Sequence, residues 1–596
     1  MKFFQTLIAS TLGFLIAVFI LFVVFFITLS SSTQQPEPYV RDNTVLKINL
    51  QGSLPAQQSS NPFDELFSTQ GGVKVSLQSL RENLNKAARH DNIKGVWLEI
   101  NAVSEGWANL EEAHRLIRTF RDSTDKFVYA STSDIGYNEK GYYLASAADS
   151  VFSPQESFFE FDGFYSQVSF YAGLFEKIGI EAEIARHGKY KSAVEPFYQK
   201  ELSEESRYQL EQIIQDVSST FVGAVSQKTG KSAGEINTLM NDAPSLLTRK
   251  AHQQGLIDSL LSPNDLKKLI KKRMGVEESS TLQTISNNRY YRVTPGTAGI
   301  ERNSTNNKIA VIYANGPIVY GVNANAPFDN QQYITASFFE EQLEDIRGDE
   351  DVKAVVVRIN SPGGSGSTSD LIWNKLRELS NEIPVIASMG PVAASGGYYI
   401  AMAADSIVAE STTLTGSIGV FSTKFNTKQL WNEELGITFD QVKSHQYADW
   451  LNPTRGFTET ERKAYQQFTD DFYRIFISKV AESRNMTLEE VDAVAQGRVW
   501  TGEDALEQNL VDLLGGMEEA LNIAAEKAEI SDYQLLTYPK AKDFYELLMS
   551  SAQAKAKSLL GNFLLPEYEQ TEKLKALFRY GKGDPLLLFP YALNIQ

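Results

Sequence analysis

Residues 397–406 read GYYIAMAADS and residues 141–150 read GYYLASAADS, so one segment of the chain occurs twice, 256 residues apart. Three further pairs of segments match at a similar displacement: 91–101 (DNIKGVWLEIN) with 350–360 (EDVKAVVVRIN), 179–190 with 436–447 (both begin Gly-Ile and end in Tyr), and 256–258 (LID) with 510–512 (LVD). Recurrence at a nearly constant displacement over so much of the chain indicates a duplicated domain.

The second copy alternates strand patterns with helix patterns. Its β-branched segment 308–314 (KIAVIYA) is followed by Asn-Gly and predicts a strand, and the apolar run at 352–359 is typical of a buried parallel strand. The other predicted elements of this copy are helices 336–347 and 367–379, strand 384–388 and a helix that begins near Ser395. The alternation predicts an α/β fold in each copy. Two longer, charged helices, at 203–228 and 457–483, are expected to project outward or to mediate assembly.

The composition excludes several classes of protein. The 596 residues include 56 Lys and Arg against 74 Asp and Glu, and the net charge of −18 argues against a nucleic-acid partner. The chain has no cysteine, which excludes disulfides, thiolate zinc sites, iron–sulfur clusters and a cysteine nucleophile. Its five histidines include no His-x-x-x-His pair, and we expect neither a metal nor a cofactor.

The N-terminus predicts a membrane anchor. Residues 7–29 (LIASTLGFLIAVFILFVVFFITL) are uncharged, and as a helix they would span roughly 35 Å, more than the bilayer core of about 30 Å. The alternative is a cleaved signal peptide, whose apolar region is usually shorter. The flanking Lys2 favours a cytoplasmic N-terminus, which would place the rest of the chain in the periplasm of a bacterium with two membranes. A polar tether at 30–41 follows, and 56–72 has the composition of a mobile or partner-docking loop.

The two copies differ where chemistry is expected. The second copy has NSPGG at 360–364 and ASGGY at 394–398, whereas the first has NAVSE at 101–105 and Glu139 in the place of Ser395. A serine at a helix N-terminus exposes its oxygen where the helix dipole favours an anion, and the amides of Gly364 and Gly396 could form an oxyanion hole. The alternative is a tight turn followed by an ordinary serine N-cap.

A serine nucleophile needs a base, and no histidine is well placed, because four lie in the first copy and His445 lies in a loop. The segment 188–197 (GKYKSAVEPF) offers Lys189 and Lys191, and aligning its Tyr190 with Tyr447 leaves no lysine in the second copy. Two degenerate copies could therefore share one site, with a lysine whose pKa is lowered by burial. Spacing alone favours the alternative, an ordinary solvated basic turn.

Together, the anchor, the tandem repeat, SPGG, ASGGY, GKYKSAVEPF and the segment LTGSIG at 414–419 closely resemble the long form of the signal peptide peptidase A (protease IV) family. The resemblance implies two tandem ClpP/crotonase-like domains and a Ser–Lys dyad. It makes Ser395 the nucleophile and Lys191, rather than Lys189, the general base. It assigns Ser417 the orientation of the lysine. The oxyanion-hole donors would be the amides of three glycines: Gly363, Gly364 and Gly396.

The resemblance also implies a homotetramer, single-pass in the bacterial inner membrane with its catalytic region in the periplasm, that degrades cleaved signal peptides left in the membrane. The expected divisions are an anchor with tether (1–43), a first repeat that supplies the lysine (44–293), a second repeat that supplies the serine (294–540) and a C-terminal tail of unknown role (541–596). Two other hypotheses remain. A crotonase-like acyl-thioester enzyme is disfavoured because coenzyme A is cytosolic, and a non-catalytic membrane scaffold is disfavoured because Ser395 and Lys191 are both retained.

Overall fold

The structure is a computed structural model. It describes residues 13, 14, 17, 36–57, 74–133, 136–242, 246–301, 305–321, 333–540 and 586–588. Most of the predicted anchor at 7–29, nearly all of the predicted loop at 56–72 and most of the tail at 541–596 therefore lie outside the described residues. Within the described part of the chain, no helix is both long and apolar enough to cross a membrane.

The strands are β1 (Thr44–Gly52), β2 (Ile93–Val103), β3 (Phe127–Ser131), β4 (Gly136–Tyr137), β5 (Ser150–Ser153), β6 (Phe158–Phe159), β7 (Glu181–His187), β8 (Leu246–Leu247), β9 (Ser259–Leu260), β10 (Gln283–Ser286), β11 (Lys308–Asn315), β12 (Val352–Ser361), β13 (Gly363–Ser365), β14 (Val385–Ala394), β15 (Ser406–Ala409), β16 (Leu414–Gly416), β17 (Val420–Asn426), β18 (Val499–Thr501), β19 (Leu513–Leu514), β20 (Gln534–Tyr538) and β21 (Leu586–Leu588).

The helices are α1 (Leu77–Arg89), α2 (Trp107–Ser123), α3 (Glu139–Ser146), α4 (Ala172–Lys177), α5 (Glu195–Tyr198), α6 (Glu204–Thr229), α7 (Ala233–Asp242), α8 (Thr248–Gln253), α9 (Pro263–Arg273), α10 (Asn287–Tyr291), α11 (Ala336–Arg347), α12 (Gly366–Ser380), α13 (Gly396–Ala401), α14 (Glu459–Arg484), α15 (Leu488–Val494), α16 (Gly502–Glu507) and α17 (Met517–Lys527). A 3₁₀ turn, Ser192–Val194, and a π-helical turn, Leu430–Glu434, complete the helical segments that the structure describes.

Two large sheets carry the two copies. The first sheet is parallel, with the strand order β10-β1-β2-β3-β5-β9, and all its strands come from residues 44–286. The second, in the order β18-β16-β14-β12-β11-β20, comes from residues 308–538 and is parallel except where β16 meets β18. The prediction of a duplicated α/β unit is confirmed by this architecture.

Equivalent hydrogen bonds confirm that the copies share one fold. The Tyr142 hydroxyl donates to the Leu256 carbonyl, and the Tyr398 hydroxyl donates to the Leu510 carbonyl. The same equivalence extends to aspartates that bind strand amides: Val151 to Asp258, Ile407 to Asp512, Val128 to Asp149 and Val385 to Asp405. The matched segments of the sequence therefore occupy matched places in the two sheets.

The predicted boundaries agree with the observed ones except near the serine. Helix 336–347 and the strands at 308–314 and 352–359 end within about two residues of α11, β11 and β12. The strand predicted at 384–388 instead continues as β14 to Ala394 and delivers the chain directly to Ser395. Periodicity missed this extension because Gly390 and Pro391 interrupt the apolar run, although Ala393 and Ala394 at its end are fully buried.

The two long helices do not project outward as expected. Helix α6 buries apolar residues against the first copy and also reaches the second, where Gln209 accepts from the amide of Val499. Helix α14 packs on β7 and β17, so it contacts both copies. Their charged faces are compatible with this packing because a helix needs only one apolar stripe to be anchored.

Strand β7 links the two copies. Although it belongs to the first copy, β7 pairs antiparallel with β17 over its full length, from Glu181 opposite Asn426 to His187 opposite Val420. The buried carboxylate of Glu183 and the buried ammonium of Lys424 are opposite each other in this pairing, 3.0 Å apart. The chain segment that follows β7 is therefore held on the second copy, next to Ser395.

Candidate active site

Ser395 lies in a sharp turn between β14 and α13. Its φ of +58° is a conformation that residues other than glycine rarely adopt. Its amide donates to the Gly416 carbonyl at 2.7 Å, which helps to hold the turn, and the residue is fully buried. Backbone strain of this kind is concentrated at functional sites, where the surrounding structure maintains it.

Lys191 reaches Ser395 from the first copy. Its Nζ lies 2.7 Å from Ser395 Oγ, 3.0 Å from Ser417 Oγ and 2.9 Å from the Ser417 carbonyl oxygen. The side chain is fully buried, and burial alone lowers the pKa of its amine well below the ordinary value of a lysine. The structure thus brings together the three side chains that the resemblance grouped, and burial favours the neutral form of the amine.

The structure distinguishes between the two lysines of GKYKSAVEPF. Lys189 is exposed and lies over the ring of Tyr190, whereas Lys191 points inward. The solvated basic turn that spacing alone favoured therefore describes Lys189 and not Lys191.

A loop of the second copy holds the lysine in place. The Tyr190 amide donates to the Gln496 carbonyl at 2.9 Å, and the Gly497 amide donates to the Ile418 carbonyl at 2.8 Å. Gly497 has a φ of +77°, and a Cβ there would lie 2.6 Å from the Lys191 backbone nitrogen. Nothing in the local sequence of Gln496 and Gly497 marks this close approach, so neither residue was predicted.

Two buried polar residues of the first copy support the same turn. Gln209 donates to Ser192 Oγ at 3.0 Å and accepts from the amide of Val499, which joins the lysine turn to β18. Glu195 accepts from the hydroxyls of Ser203 and Ser206. The sequence signal for Glu195 was its place inside GKYKSAVEPF, whereas Gln209 had none.

The glycine loop lies on the other side of Ser395. A Cβ on Gly364 would lie 1.9 Å from the Ile318 carbonyl oxygen, so this position requires glycine. Gly396 is the first residue of α13, where an amide has no acceptor within its own helix. The amide of Gly363 donates to Ser361 Oγ at 3.1 Å, so the amides of Gly364 and Gly396 are the better candidates for oxyanion donors among the three predicted ones.

The equivalent place in the first copy has different chemistry. Glu139, which takes the position of Ser395, is buried and accepts from the Asp162 amide at 3.0 Å. Burial raises the pKa of this carboxyl to about 7. The first copy therefore has an acidic group and no hydroxyl at this position, as its sequence predicted.

Comparisons with known proteins identify the family of this chain. The model of Peptidase family S49 matches the chain twice, at residues 121–277 and 377–531. The chain belongs to this family. The chloroplastic serine protease SPPA of Arabidopsis thaliana is 36% identical over 497 residues, which cover 83% of this chain and 71% of that protein. Protease 4 of Salmonella typhi is 32% identical over 495 residues, which cover 81% and 77%.

Among solved structures, a variant of the 1510-N membrane-bound stomatin-specific protease in complex with a substrate peptide is similar to part of the chain. It is 13% identical with a TM-score of 0.25, and the match covers 42% of this chain and all of that one. The family match and the named relatives make the chain a serine protease with two tandem S49 domains.

No cluster in the described residues of this S49 protease could hold a metal ion. The histidine nearest in sequence to Lys191 is His187, and its Nδ1 lies 2.8 Å from Asp470 on α14 while its ring stacks on Tyr473. His187 therefore joins β7 to α14 and is not within the group formed by Ser395, Lys191 and Ser417.

Proposed function

We propose that the protein is an endopeptidase with a Ser–Lys dyad, in which Ser395 is the nucleophile and Lys191 is the general base. The observation that supports this most directly is the 2.7 Å approach of Lys191 Nζ to Ser395 Oγ in a fully buried site. Among the described residues, Lys191 Nζ has three hydrogen-bonding oxygens, which belong to Ser395 and Ser417, and none of them is a carboxylate. Burial without a carboxylate partner favours the neutral amine, and a base must be neutral to accept a proton.

The geometry supports an acyl-enzyme mechanism. Neutral Lys191 accepts the proton of Ser395 while Oγ forms a bond to the carbonyl carbon of the scissile peptide. The amides of Gly364 and Gly396 would stabilise the resulting oxyanion, and loss of one such donor typically costs about 3–4 kcal/mol. The C–N bond then breaks as Lys191 transfers its proton to the leaving amine. Water attacks the acyl-enzyme, and Lys191 passes the proton of that water back to Ser395.

The proposed substrates are signal peptides that remain in the membrane after their removal from exported proteins. An apolar cluster lies next to the glycine loop and includes Phe175, Val194, Phe197 and Phe421. Such a surface favours hydrophobic side chains like those of a signal-peptide core. The apolar segment 7–29 supports a second part of the proposal, that the protein is anchored in the inner membrane and faces the periplasm.

The proposed assembly is a homotetramer. An exposed arm of the second copy, residues 427–457, supports self-association because its apolar side chains are largely in contact with solvent within the described chain. Five of them are more than two-fifths exposed: Leu435, Ile437, Phe439, Val442 and Tyr447. The number of four subunits comes from the family resemblance alone.

Peptide hydrolysis by the full chain in detergent tests the dyad. We expect Ser395→Ala and Lys191→Ala to lower kcat/KM for a hydrophobic fluorogenic peptide by about a thousandfold or more, while Lys189→Ala retains it. Lys189→Ala is the matched control because it removes an exposed lysine from the same motif. Full activity in either dyad variant would show that the assignment is wrong, and no hydrolysis by the wild type would favour the scaffold hypothesis.

A further inference from the structure

A short strand from the C-terminal tail lies in the proposed active site. Strand β21 belongs to a sheet in the order β13-β21-β17-β7. It therefore lies between β13, which is part of the glycine loop, and β17, the strand that pairs with β7. Its residues Leu586 to Leu588 run antiparallel to β13, with Leu588 opposite Gly363 and Leu586 opposite Ser365. Leu586 is also opposite Phe421 of β17.

The hydrogen-bonding edge that β21 covers is the one that a substrate would need. Ile318 occupies the other edge of β13, because its amide donates to the Gly363 carbonyl and its carbonyl accepts from the Ser365 amide, both at 2.9 Å. The carbonyl and the N–H of one peptide group point to opposite edges of a strand, so the Gly364 amide, which shares its peptide group with the Gly363 carbonyl, faces β21. The tail therefore covers the proposed oxyanion donor at Gly364.

The side chain of Leu586 fills the apolar cluster beside this loop. It is 6% exposed and packs in the cluster that contains Phe175, Val194, Phe197 and Phe421. The cluster takes residues from both copies, as does the dyad itself. An apolar side chain anchored this way, with backbone pairing on both sides, is the usual form of strand addition to a groove between two edges.

The direction of the strand matches that of the acyl side of a substrate. Leu588 is the β21 residue opposite Gly363, and the Gly363 Cα lies only 3.1 Å from where a Cβ on Gly396 would be. The C-terminal end of β21 is thus the end nearest to Ser395. A peptide that approached Ser395 with its acyl side in this groove would run in the same direction and use the same edges.

We propose that the segment Leu586–Leu588 is an internal competitor that occupies the substrate groove of this protease and must leave before a peptide can bind. The proposal rests on the proposed function only in assigning the groove to substrate. It gives the otherwise unexplained tail a role, because the tail reduces the fraction of molecules with an open groove, and the apparent KM is the intrinsic KM divided by that fraction.

The test is the kinetics of Leu586→Asp in the full chain. We expect the charge to expel β21 from the apolar cluster and to lower KM for the fluorogenic peptide about fivefold or more, with little change in kcat. A synthetic peptide of residues 583–591 (GDPLLLFPY) should then inhibit Leu586→Asp competitively and the wild type much less. Leu587→Pro, which removes an amide from a strand flanked on both sides, should act in the same direction.

The matched control is Leu488→Asp, which places the same charge on a leucine that is 46% exposed at the start of α15. Its KM should equal that of the wild type. If Leu586→Asp and Leu587→Pro also have the wild-type KM, the proposal is wrong while the dyad stands.

Binding to an inactive protein separates this proposal from the proposed function. In fluorescence anisotropy, the labelled 583–591 peptide should bind Ser395→Ala/Leu586→Asp more tightly than it binds Ser395→Ala. This result would support the competitor even if no variant hydrolysed any peptide. Equal binding to the two proteins would overturn it, whatever the activity of the wild type.

Discussion

Three of the buried lysines in the described chain differ in the groups that their ammonium or amine nitrogens contact. Lys424 is paired with the carboxylate of Glu183, and Lys86 donates to three backbone carbonyls within 290–293, although burial lowers its pKa to about 8. Lys191 is the lysine whose Nζ lies against a serine hydroxyl held in a strained turn. Burial alone therefore does not identify which lysine acts as a base. The strained Ser395 next to Lys191 identifies that lysine.

The lowered pKa of Lys191 makes a prediction for activity. The amine must be neutral to accept a proton, so kcat/KM for an uncharged peptide should rise with pH through an acid limb and then level off. The midpoint of that limb should lie well below the ordinary pKa of a lysine, because burial disfavours the charged form. A rate that rises only above pH 10, or one that falls as pH increases from the acid side, would contradict a buried lysine base.

The same lowered pKa has a consequence for stability. Between the lowered pKa and the ordinary one, the unfolded state binds the proton that the folded state excludes, so the free energy of unfolding falls as pH decreases through this window. Lys191→Met should therefore raise the Tm at pH 7 while it abolishes hydrolysis, and Lys189→Met should change neither. A Tm equal to that of the wild type would show that burying this amine has little cost.

At the scale of elements, the site depends on the pairing of β7 with β17. The lysine turn follows β7 directly, and Glu183 accepts from Lys424, Arg462 and the Phe457 amide. Removing one partner of a buried pair is usually costly, because the remaining charge is left in a poor environment. The ion pair between β7 and β17 should therefore affect both stability and activity.

Lys424→Met tests this connection. We expect the Tm to fall by several degrees and kcat/KM to fall at least about tenfold, since loss of a buried partner costs about 3–5 kcal/mol and shifts β7. Lys463→Met is the control, because its ion pair with Glu459 is exposed and should contribute less than about 1 kcal/mol. Loss of stability with unchanged activity would show that the position of Lys191 does not depend on this pair.

The sequence predicted individual elements well and their pairing poorly. Periodicity placed α11 and β12 correctly, and the repeat revealed the duplicated fold, because both signals are local or internal to the sequence. The pairing of β7 with β17 joins residues about 240 apart and leaves no pattern in either strand. The family resemblance placed Lys191 beside Ser395 where spacing could not, and the close approach at Gly497 was visible only in three dimensions.

At the scale of the whole molecule, the two copies use equivalent arms differently. The first copy's arm, which includes β7, pairs with β17 of the second copy in the same chain. By the repeat, the equivalents of β7 and β17 are residues 438–444 and 163–169, and neither forms a strand in the described structure. A second chain could supply the missing partner for each, and a contact of this head-to-tail kind forms a ring when its rotation closes.

The prediction from this unpaired arm is that charges within it dissociate the assembly. In mass photometry of the protein in detergent, the wild type should have a mass that is a multiple of one chain. The double variant Phe439→Glu/Val442→Glu should have the mass of a single chain, which is 66.5 kDa without the bound detergent. Phe439 and Val442 are 53% and 103% exposed, so the substitutions should leave the fold of one chain intact and its Tm nearly unchanged. Leu488→Glu is the control for added charge elsewhere on the surface.

A double variant that retains the wild-type mass would show that 427–457 is not the contact between chains. A wild type that is itself a single chain would show that the exposed apolar side chains of this arm serve some purpose other than self-association.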